Sequence, residues 1–237
     1  MASPRARVGV FAYDFPHRKT YDVLIRLFLE ARDVKIVVGA PYRKLDIPEA
    51  TVRTKVRHMP SMHPRTLSER LGFDYLDIAH EDANLPTIVK RMRLDVGVIA
   101  GARILKGPIL DAFPNGIINL HPGAIPETRG LDAMLWAVRN DVPQAVTAHL
   151  IDRRVDAGKI LTSTRIVLRP DDTPFDVQER LYEKQLDILG DAIVAAMGGN
   201  GRAVPVDCPP YNRKMSPELE RSTLEMFGGY LRRHASE

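Results

Sequence analysis

The stretch that decides the fold is RVGVFAYDFPHRKTYDVLIRLFLEARDVKIVVGA, residues 7–40. Both of its ends, 7–13 and 34–40, are apolar and rich in β-branched residues, which predicts two buried strands. Between them, residues 20–33 repeat apolar side chains at the spacing of one helix face. A strand, a helix and a second strand in so short a stretch form a β-α-β unit, which predicts two parallel strands with a right-handed crossover.

The same alternation continues along the chain. It predicts further strands at 75–80, 95–101, 116–120, 144–152 and 159–168, and helices at 64–71, 85–92, 105–113, 173–197 and 217–232, with another around Trp136. Strands that alternate with helices through short connections are typical of an open, doubly wound, mostly parallel α/β sheet. We expect a catalytic domain over 1–198, followed over 199–237 by a Pro-rich linker and an amphipathic helix.

Composition excludes several classes of protein. With 44% hydrophobic and 27% charged residues the chain is an ordinary globular protein, and its single cysteine, Cys208, excludes an internal disulfide and favours the cytoplasm. No apolar leader and no long apolar run is present, so we expect neither secretion nor a membrane partner. The net charge of +4 is scattered and aromatic residues make up only 6%, so we do not expect a nucleic-acid partner.

Several catalytic templates are also absent. There is no G-x-S-x-G elbow, Cys208 lies in a Pro-rich segment, and no His/Cys group has zinc spacing, so we expect neither covalent catalysis nor a metal. The first strand is followed by DFPHRKT, residues 14–20, where dinucleotide-binding and P-loop enzymes carry a glycine-rich loop.

Three polar residues suggest a site. Asn119 and His121 end a predicted strand two residues apart, so their side chains point to the same side, at the sheet edge where such folds bind ligands. Asp156 follows a later strand, and a carboxylate beside an imidazole favours the charged ring. Together these groups suit acyl transfer, because an amide and an imidazolium can stabilise an oxyanion. On residue type alone, however, a lone histidine is more often a surface or core residue than a catalytic one.

Four ordered motifs then identify a resemblance. INLHPGAIPETRG (118–130), WAV (136–138), VTAHLIDRRVDAGKI (146–160) and DDTPFDVQERL (171–181) resemble the 10-formyltetrahydrofolate-dependent formyltransferases. That family includes the glycinamide ribonucleotide, methionyl-tRNA and sugar N-formyltransferases. The resemblance implies the Rossmann-like formyltransferase fold, with Asn119, His121 and Asp156 as the catalytic residues and 10-formyltetrahydrofolate as the donor.

The resemblance also implies binding residues. GARILKG, 101–107, matches the segment that receives the pterin, so Arg103, Ile104 and Leu105 are expected to bind the donor, together with Ile151 and Asp152. From the residues alone, Ile104 and Leu105 would be core. His149 is expected to be structural.

For the acceptor we expect contacts from Pro122, Arg129 and the loop of His17, Arg18 and Lys19. That loop could bind an anion at a helix N-terminus or be a solvated turn. Because it lacks the purine enzyme's Gly- and Asn-containing loop, glycinamide ribonucleotide is a less favoured acceptor. The short chain after Gly198 makes tRNA unexpected. The loop NLHPGAIPETRG is most similar to the sugar N-formyltransferases, so the expected partner is a small primary amine, an amino sugar with or without a nucleotide.

Two other functions stay open at this point. A hydrolase could use the same three residues to deformylate the folate with water, and a folate-binding protein would use none of them. The last helix, 217–232, either packs on its own domain or forms a homodimer contact.

Overall fold

The computed structural model describes residues 5–43, 46, 48–50, 62–102 and 104–235. The chain forms two compact units: one takes residues 1–44, 58–119 and 189–201, the other 45–57, 120–188 and 202–237. The chain after residue 201 therefore belongs to the same unit as residues 120–188. The predicted functional division after residue 198 stays a prediction.

The first unit is built on parallel strands. They are β1 (Arg7–Tyr13), β2 (Asp33–Ala40), β3 (Asp74–Asp77), β4 (Val96–Ile99) and β5 (Ile117–His121), in the order β3-β2-β1-β4-β5. The last two residues of β5, Leu120 and His121, belong to the second unit. All four neighbouring pairs in this order are parallel. Its helices are α1 (Arg18–Leu29), α2 (Pro64–Leu71), α3 (Leu85–Arg91) and α6 (Leu189–Met197).

Helix α1 shows why this unit folds as its sequence predicts. Val23, Leu24 and Leu27 lie at helical spacing on one face, and all three are fully buried. Strand β1 is buried along its middle, as expected for a parallel strand covered on both faces. The β-α-β prediction from residues 7–40 is therefore confirmed.

The second unit contains β6 (Ala145–Leu150), β7 (Lys159–Arg165) and β8 (Arg202–Ala203), which pair antiparallel. Its helices are α4 (Ala133–Asn140), α5 (Pro174–Asp187), α7 (Pro217–Glu225) and α8 (Phe227–His234). Most of the described strand pairs are parallel, so the predicted α/β class with a mostly parallel sheet and C-terminal helices is confirmed.

Three helix predictions were wrong. The helix expected at 105–113 is only a 3-10 turn at Gly107–Ile109, because Gly107 has a φ of 71° and Pro108 donates no backbone hydrogen bond. The helix expected at 173–197 is interrupted at Ile188, and the one expected at 217–232 is interrupted at Met226. Each interruption lies two residues before a glycine, the weakest helix former after proline.

We predict that Thr173→Ala lowers the free energy of unfolding by about 1 kcal/mol. The Thr173 hydroxyl accepts from the Asp176 backbone N–H at 3.2 Å, and Asp176 Oδ2 accepts from the Thr173 N–H at 2.8 Å, so the substitution removes half of a capping box. Urea denaturation measures the change. Thr173→Ser, which keeps the hydroxyl, is the control, and equal loss in both variants would contradict the capping argument.

Candidate active site

Strand β5 presents two of the predicted residues. Ile117, Ile118 and Leu120 are buried, and they anchor the strand. Asn119 and His121 lie two positions apart, so their side chains leave the strand on the same side. His121 is only 3% exposed and Asn119 is half-buried.

Asp156 lies in the turn that joins β6 to β7. Its Oδ2 is 3.5 Å from His121 Nδ1, and its Oδ1 is 3.4 Å from His149 Nε2. The backbone N–H of Gly130 donates to Oδ2 at 3.1 Å. The structure therefore brings His121 and Asp156 together, and their catalytic roles stay a prediction. The backbone of Asp156 has a φ of 43°, a left-handed conformation that costs energy for a non-glycine residue and is frequent at functional sites.

His149, which was expected to be structural, also contacts Asp156. It is fully buried in strand β6, where its Nδ1 lies 3.2 Å from the carbonyl oxygen of Leu150 and its Nε2 faces Asp156. The sequence carries a weak signal, since His149 is a titratable side chain within the apolar strand AVTAHL. Its contact with the carboxylate gives it more than a packing role.

Both ring nitrogens of His121 face acceptors. Nδ1 faces Asp156, and Nε2 lies 3.0 Å from the carbonyl oxygen of Thr128. A neutral imidazole donates from only one nitrogen, whereas an imidazolium donates from both. An imidazolium could therefore donate to both of these acceptors.

Two glycines allow the backbone to approach these side chains. A Cβ atom on Gly123 would lie 2.8 Å from His121 Nε2 and 2.5 Å from Thr128 Oγ1. A Cβ atom on Gly158 would overlap the carbonyl oxygen of Leu150. Both positions thus require glycine because the chain packs closely there.

The electrostatics keep Asp156 ionised. Burial raises the pKa of this carboxyl, but the hydrogen bond from His149, the positive charges of His121 and His149 and the Gly130 N–H together outweigh burial and lower the pKa to about 2. Asp156 is therefore a carboxylate across the whole physiological pH range, and it can hold an imidazolium or order a water molecule.

The predicted donor-binding residues are divided between the two units. In the first unit Ile104 is 65% exposed, which makes its reading as core wrong, while Leu105 is buried and lines a cavity of about 30 Å³ together with Tyr13 and His80. Arg103 lies outside the described residues. In the second unit Ile151 and Asp152 are half-buried. Asp152 accepts from the Arg154 backbone N–H at 2.7 Å.

The predicted acceptor loop begins helix α1. His17 is the N-cap, and its Nδ1 accepts from the Thr20 N–H at 3.3 Å. Arg18 forms an ion pair with Asp22 at 3.4 Å, and Lys19 is half-buried. The structure thus gives His17 a capping role, and acceptor binding by the loop stays a prediction.

The other two predicted acceptor contacts lie near His121. Pro122 follows it directly and is half-buried. Arg129 is 8% exposed, and its guanidinium donates to the carbonyl oxygens of Pro209 and Val155. These protein contacts occupy Arg129 whether or not it also touches a substrate.

Among the residues that the structure describes, no three His, Cys, Asp or Glu side chains are grouped so that they could hold a metal ion. No helix within the described ranges is long and apolar enough to span a membrane.

Comparison with known proteins identifies the family. The model of the formyl transferase family matches residues 46–193, more than half of the chain. The chain belongs to this family, as its motifs predicted, and the family consists of formyl-transferring enzymes.

Two curated relatives are named after different acceptors. The chain is 30% identical over 193 residues to the methionyl-tRNA formyltransferase of Roseiflexus sp. (strain RS-1), with 78% of this chain and 55% of the relative covered. It is 28% identical over 166 residues to the phosphoribosylglycinamide formyltransferase of Bacillus subtilis (strain 168), with 66% of this chain and 80% of the relative covered. The chain thus spans about half the length of the first relative.

Solved structures confirm the fold. Glycinamide ribonucleotide transformylase 1 from Symbiobacterium toebii superposes with a TM-score of 0.62 at 24% identity, covering 86% of this chain and 96% of its own. A sugar N-formyltransferase from Shewanella sp. FDAARGOS_354 superposes with a TM-score of 0.59 at 17% identity, covering 93% of this chain and 87% of its own. At these identities the likeness shows the Rossmann-like formyltransferase fold, and it shows nothing about the acceptor.

We predict that Asp156 contributes a pH-dependent part of the stability. Its folded pKa of about 2 lies below the ordinary value of 3.8, so this contribution is complete above about pH 4 and is lost as the pH falls through 2. The shift corresponds to about 2 kcal/mol. Denaturant unfolding of the wild type and Asp156→Asn, from pH 5 towards pH 2, should show the difference between them shrinking. This window lies below the pH range in which an ordinary histidine titrates, about 6.5. A difference that stays constant across the window would contradict the assignment.

Proposed function

We propose that this protein transfers the formyl group of 10-formyltetrahydrofolate to the primary amine of a small acceptor, an amino sugar with or without an attached nucleotide. The observation that carries the proposal is the buried Asp156 carboxylate between His121 and His149, with His121 two residues after Asn119 in the same strand. Family membership supports the reaction class and the folate donor.

The proposed chemistry is a direct transfer. The unprotonated amine attacks the formyl carbon and forms a tetrahedral oxyanion. The carboxamide of Asn119 donates to that oxygen, and the charged ring of His121 stabilises it. The bond between the formyl carbon and N10 of the folate then breaks. The amine loses a proton and N10 gains one.

Asp156 contributes to these reaction steps in two ways. As a permanent carboxylate it keeps His121 charged, and it can order the water that carries the proton from the amine to N10. The acceptor amine is itself the nucleophile, so the mechanism needs no reactive serine or cysteine.

The acceptor assignment rests on two loops. The motif NLHPGAIPETRG and the loop DFPHRKT favour an amino sugar over glycinamide ribonucleotide. The cationic side chains of Arg18 and Lys19 at the start of α1 would suit an acceptor that carries phosphate. A cytoplasmic location, consistent with a single thiol, is part of the same proposal.

The decisive assay incubates the purified protein with 10-formyltetrahydrofolate and a pool of primary amines that includes nucleotide-linked amino sugars. Release of tetrahydrofolate and appearance of an amine heavier by one CO unit would establish transfer and identify the acceptor. Tetrahydrofolate released at the same rate with and without every amine would show hydrolysis instead. No release under any condition, with folate still bound in a titration, would show a binding protein and overturn the proposal.

We predict that Asn119→Ala and Asp156→Ala each lower kcat by about a hundredfold or more, because each removes stabilisation that arises only in the transition state. Single-turnover kinetics with saturating donor measure the effect. Asn140→Ala and Asp171→Ala, at exposed positions, are the matched controls and should retain full activity. Wild-type kcat in either site variant would remove that residue from the mechanism.

We also predict that the double variant Arg18→Ala, Lys19→Ala raises the KM for a phosphorylated acceptor while kcat changes little, since lost ground-state binding affects KM. Arg26→Ala is the control: Arg26 also lies on α1 and forms an ion pair four residues along, at 2.7 Å with Glu30. An unchanged KM in the double variant would make the loop a solvated turn.

A further inference from the structure

The chain that follows β8 is bonded to the loop beside the candidate site. We call residues 209–215 the anchor segment and residues 128–132 the catalytic loop. The backbone N–H of Asn212 donates to the Arg129 carbonyl at 2.8 Å, and the N–H of Leu131 donates to the Asn212 carbonyl at 2.9 Å. Gly130 lies between these two bonds, in a parallel bridge with Asn212.

Side chains extend this attachment in both directions. Lys214 Nζ lies 2.9 Å from Asp132 Oδ2, and that oxygen also accepts from the Met215 N–H at 3.0 Å. The ion pair is mostly buried, with side-chain exposures of 11% and 5%. Trp136 Nε1 donates to the Arg213 carbonyl at 3.1 Å. The anchor segment, expected to be a linker, is therefore bonded to the catalytic loop at Asn212, Lys214 and Met215, and to helix α4 through Arg213.

Gly130 connects the anchor segment to Asp156. Its φ is 101°, and a Cβ atom there would overlap the carbonyl oxygen of Asn212, so only glycine fits. The same residue donates its N–H to the Asp156 carboxylate. Any shift of the anchor segment would therefore move a hydrogen bond of the central carboxylate.

Arg129 makes a second connection between the anchor segment and Asp156, through the backbone carbonyl of the preceding residue, Val155. Its Nε donates to the Pro209 carbonyl at 2.9 Å and its Nη1 to the Val155 carbonyl at 3.1 Å. The Val155 carbonyl and the Asp156 nitrogen belong to one rigid peptide plane. Fixing that oxygen fixes the plane about which φ of Asp156 turns, and this φ is the costly left-handed one.

We propose that Arg129 is a positioning residue that holds the Asp156 carboxylate against His121 and His149, with the anchor segment as its fixed support. The planar guanidinium suits this task, since it donates in two directions from a rigid fork, whereas a lysine ammonium is a single point on a flexible stem. The activity readout of this proposal rests on the proposed formyl transfer, and a second readout does not.

The test compares Arg129→Gln and Arg129→Lys with the wild type. Misplacement of Asp156 should lower kcat between about tenfold and a hundredfold while the acceptor KM stays within about twofold. Arg129→Lys keeps the charge and can satisfy one carbonyl, so we expect an intermediate kcat. A raised acceptor KM with unchanged kcat would overturn the proposal, because it would make Arg129 a substrate contact.

The second readout is the NMR titration of the His121 imidazole, which needs no activity. If Arg129 positions the carboxylate, this ring should titrate at lower pH in Arg129→Gln, because its anionic partner has moved. Unchanged titration in both variants would overturn the proposal. A changed titration in a protein that transfers no formyl group would reject the proposed function and keep the positioning role.

Arg180→Gln is the matched control. Its guanidinium donates to the Val167 carbonyl at 2.8 Å and to both oxygens of Asp172, so it also fastens a loop of the second unit through a carbonyl. This variant should lower the melting temperature without changing kcat or the His121 titration. If it changes them as Arg129→Gln does, the effect is general destabilisation and the proposal fails. Should Arg129→Gln not fold, Arg129→Lys carries the same comparison.

Discussion

The buried carboxylate of Asp156 is the constraint on which the second unit depends. A charge removed from water is strongly destabilising unless it is paired and hydrogen-bonded, so its partners must all arrive with good geometry. Those partners come from three separate places: His121 from the end of β5, His149 from β6 and the Gly130 N–H from the catalytic loop. Closing this cluster fixes two strands and two loops relative to each other.

The parts of this arrangement that depend on local pattern could be predicted from the sequence. Helix α1 and its flanking strands follow from the periodicity of residues 7–40, and the pleat of β5 places Asn119 and His121 on one side. The meeting of His121 with Asp156 joins residues 35 positions apart, and no spacing rule yields it. Residue types at two strand ends suggested it, and the resemblance of the motifs to a family in which those positions act together supported it.

The contacts that the sequence did not predict join residues distant in sequence. Arg129 binds Pro209, 80 residues away, and Lys214 binds Asp132, 82 residues away. A Pro-rich stretch such as 204–215 resembles a linker because its composition forms no regular element, yet backbone groups need no periodicity to pair with a loop. The contact of His149 with Asp156 was not predicted for a related reason, since a histidine within an apolar strand has no local mark that distinguishes packing from chemistry.

The glycines of the motifs can be understood in the same physical terms. Gly123 gives the His121 ring room, Gly130 lets Asn212 approach, and Gly158 lets the turn after Asp156 close on Leu150. None of the three carries a functional group, but each removes a Cβ where two backbones or a backbone and a ring must nearly touch. The motifs therefore specify two kinds of residue: the polar residues of the candidate site, and glycines at positions where a Cβ atom would clash. The close approaches at these glycines restrict how the Asp156 carboxylate, the two imidazoles and the Gly130 N–H can be arranged.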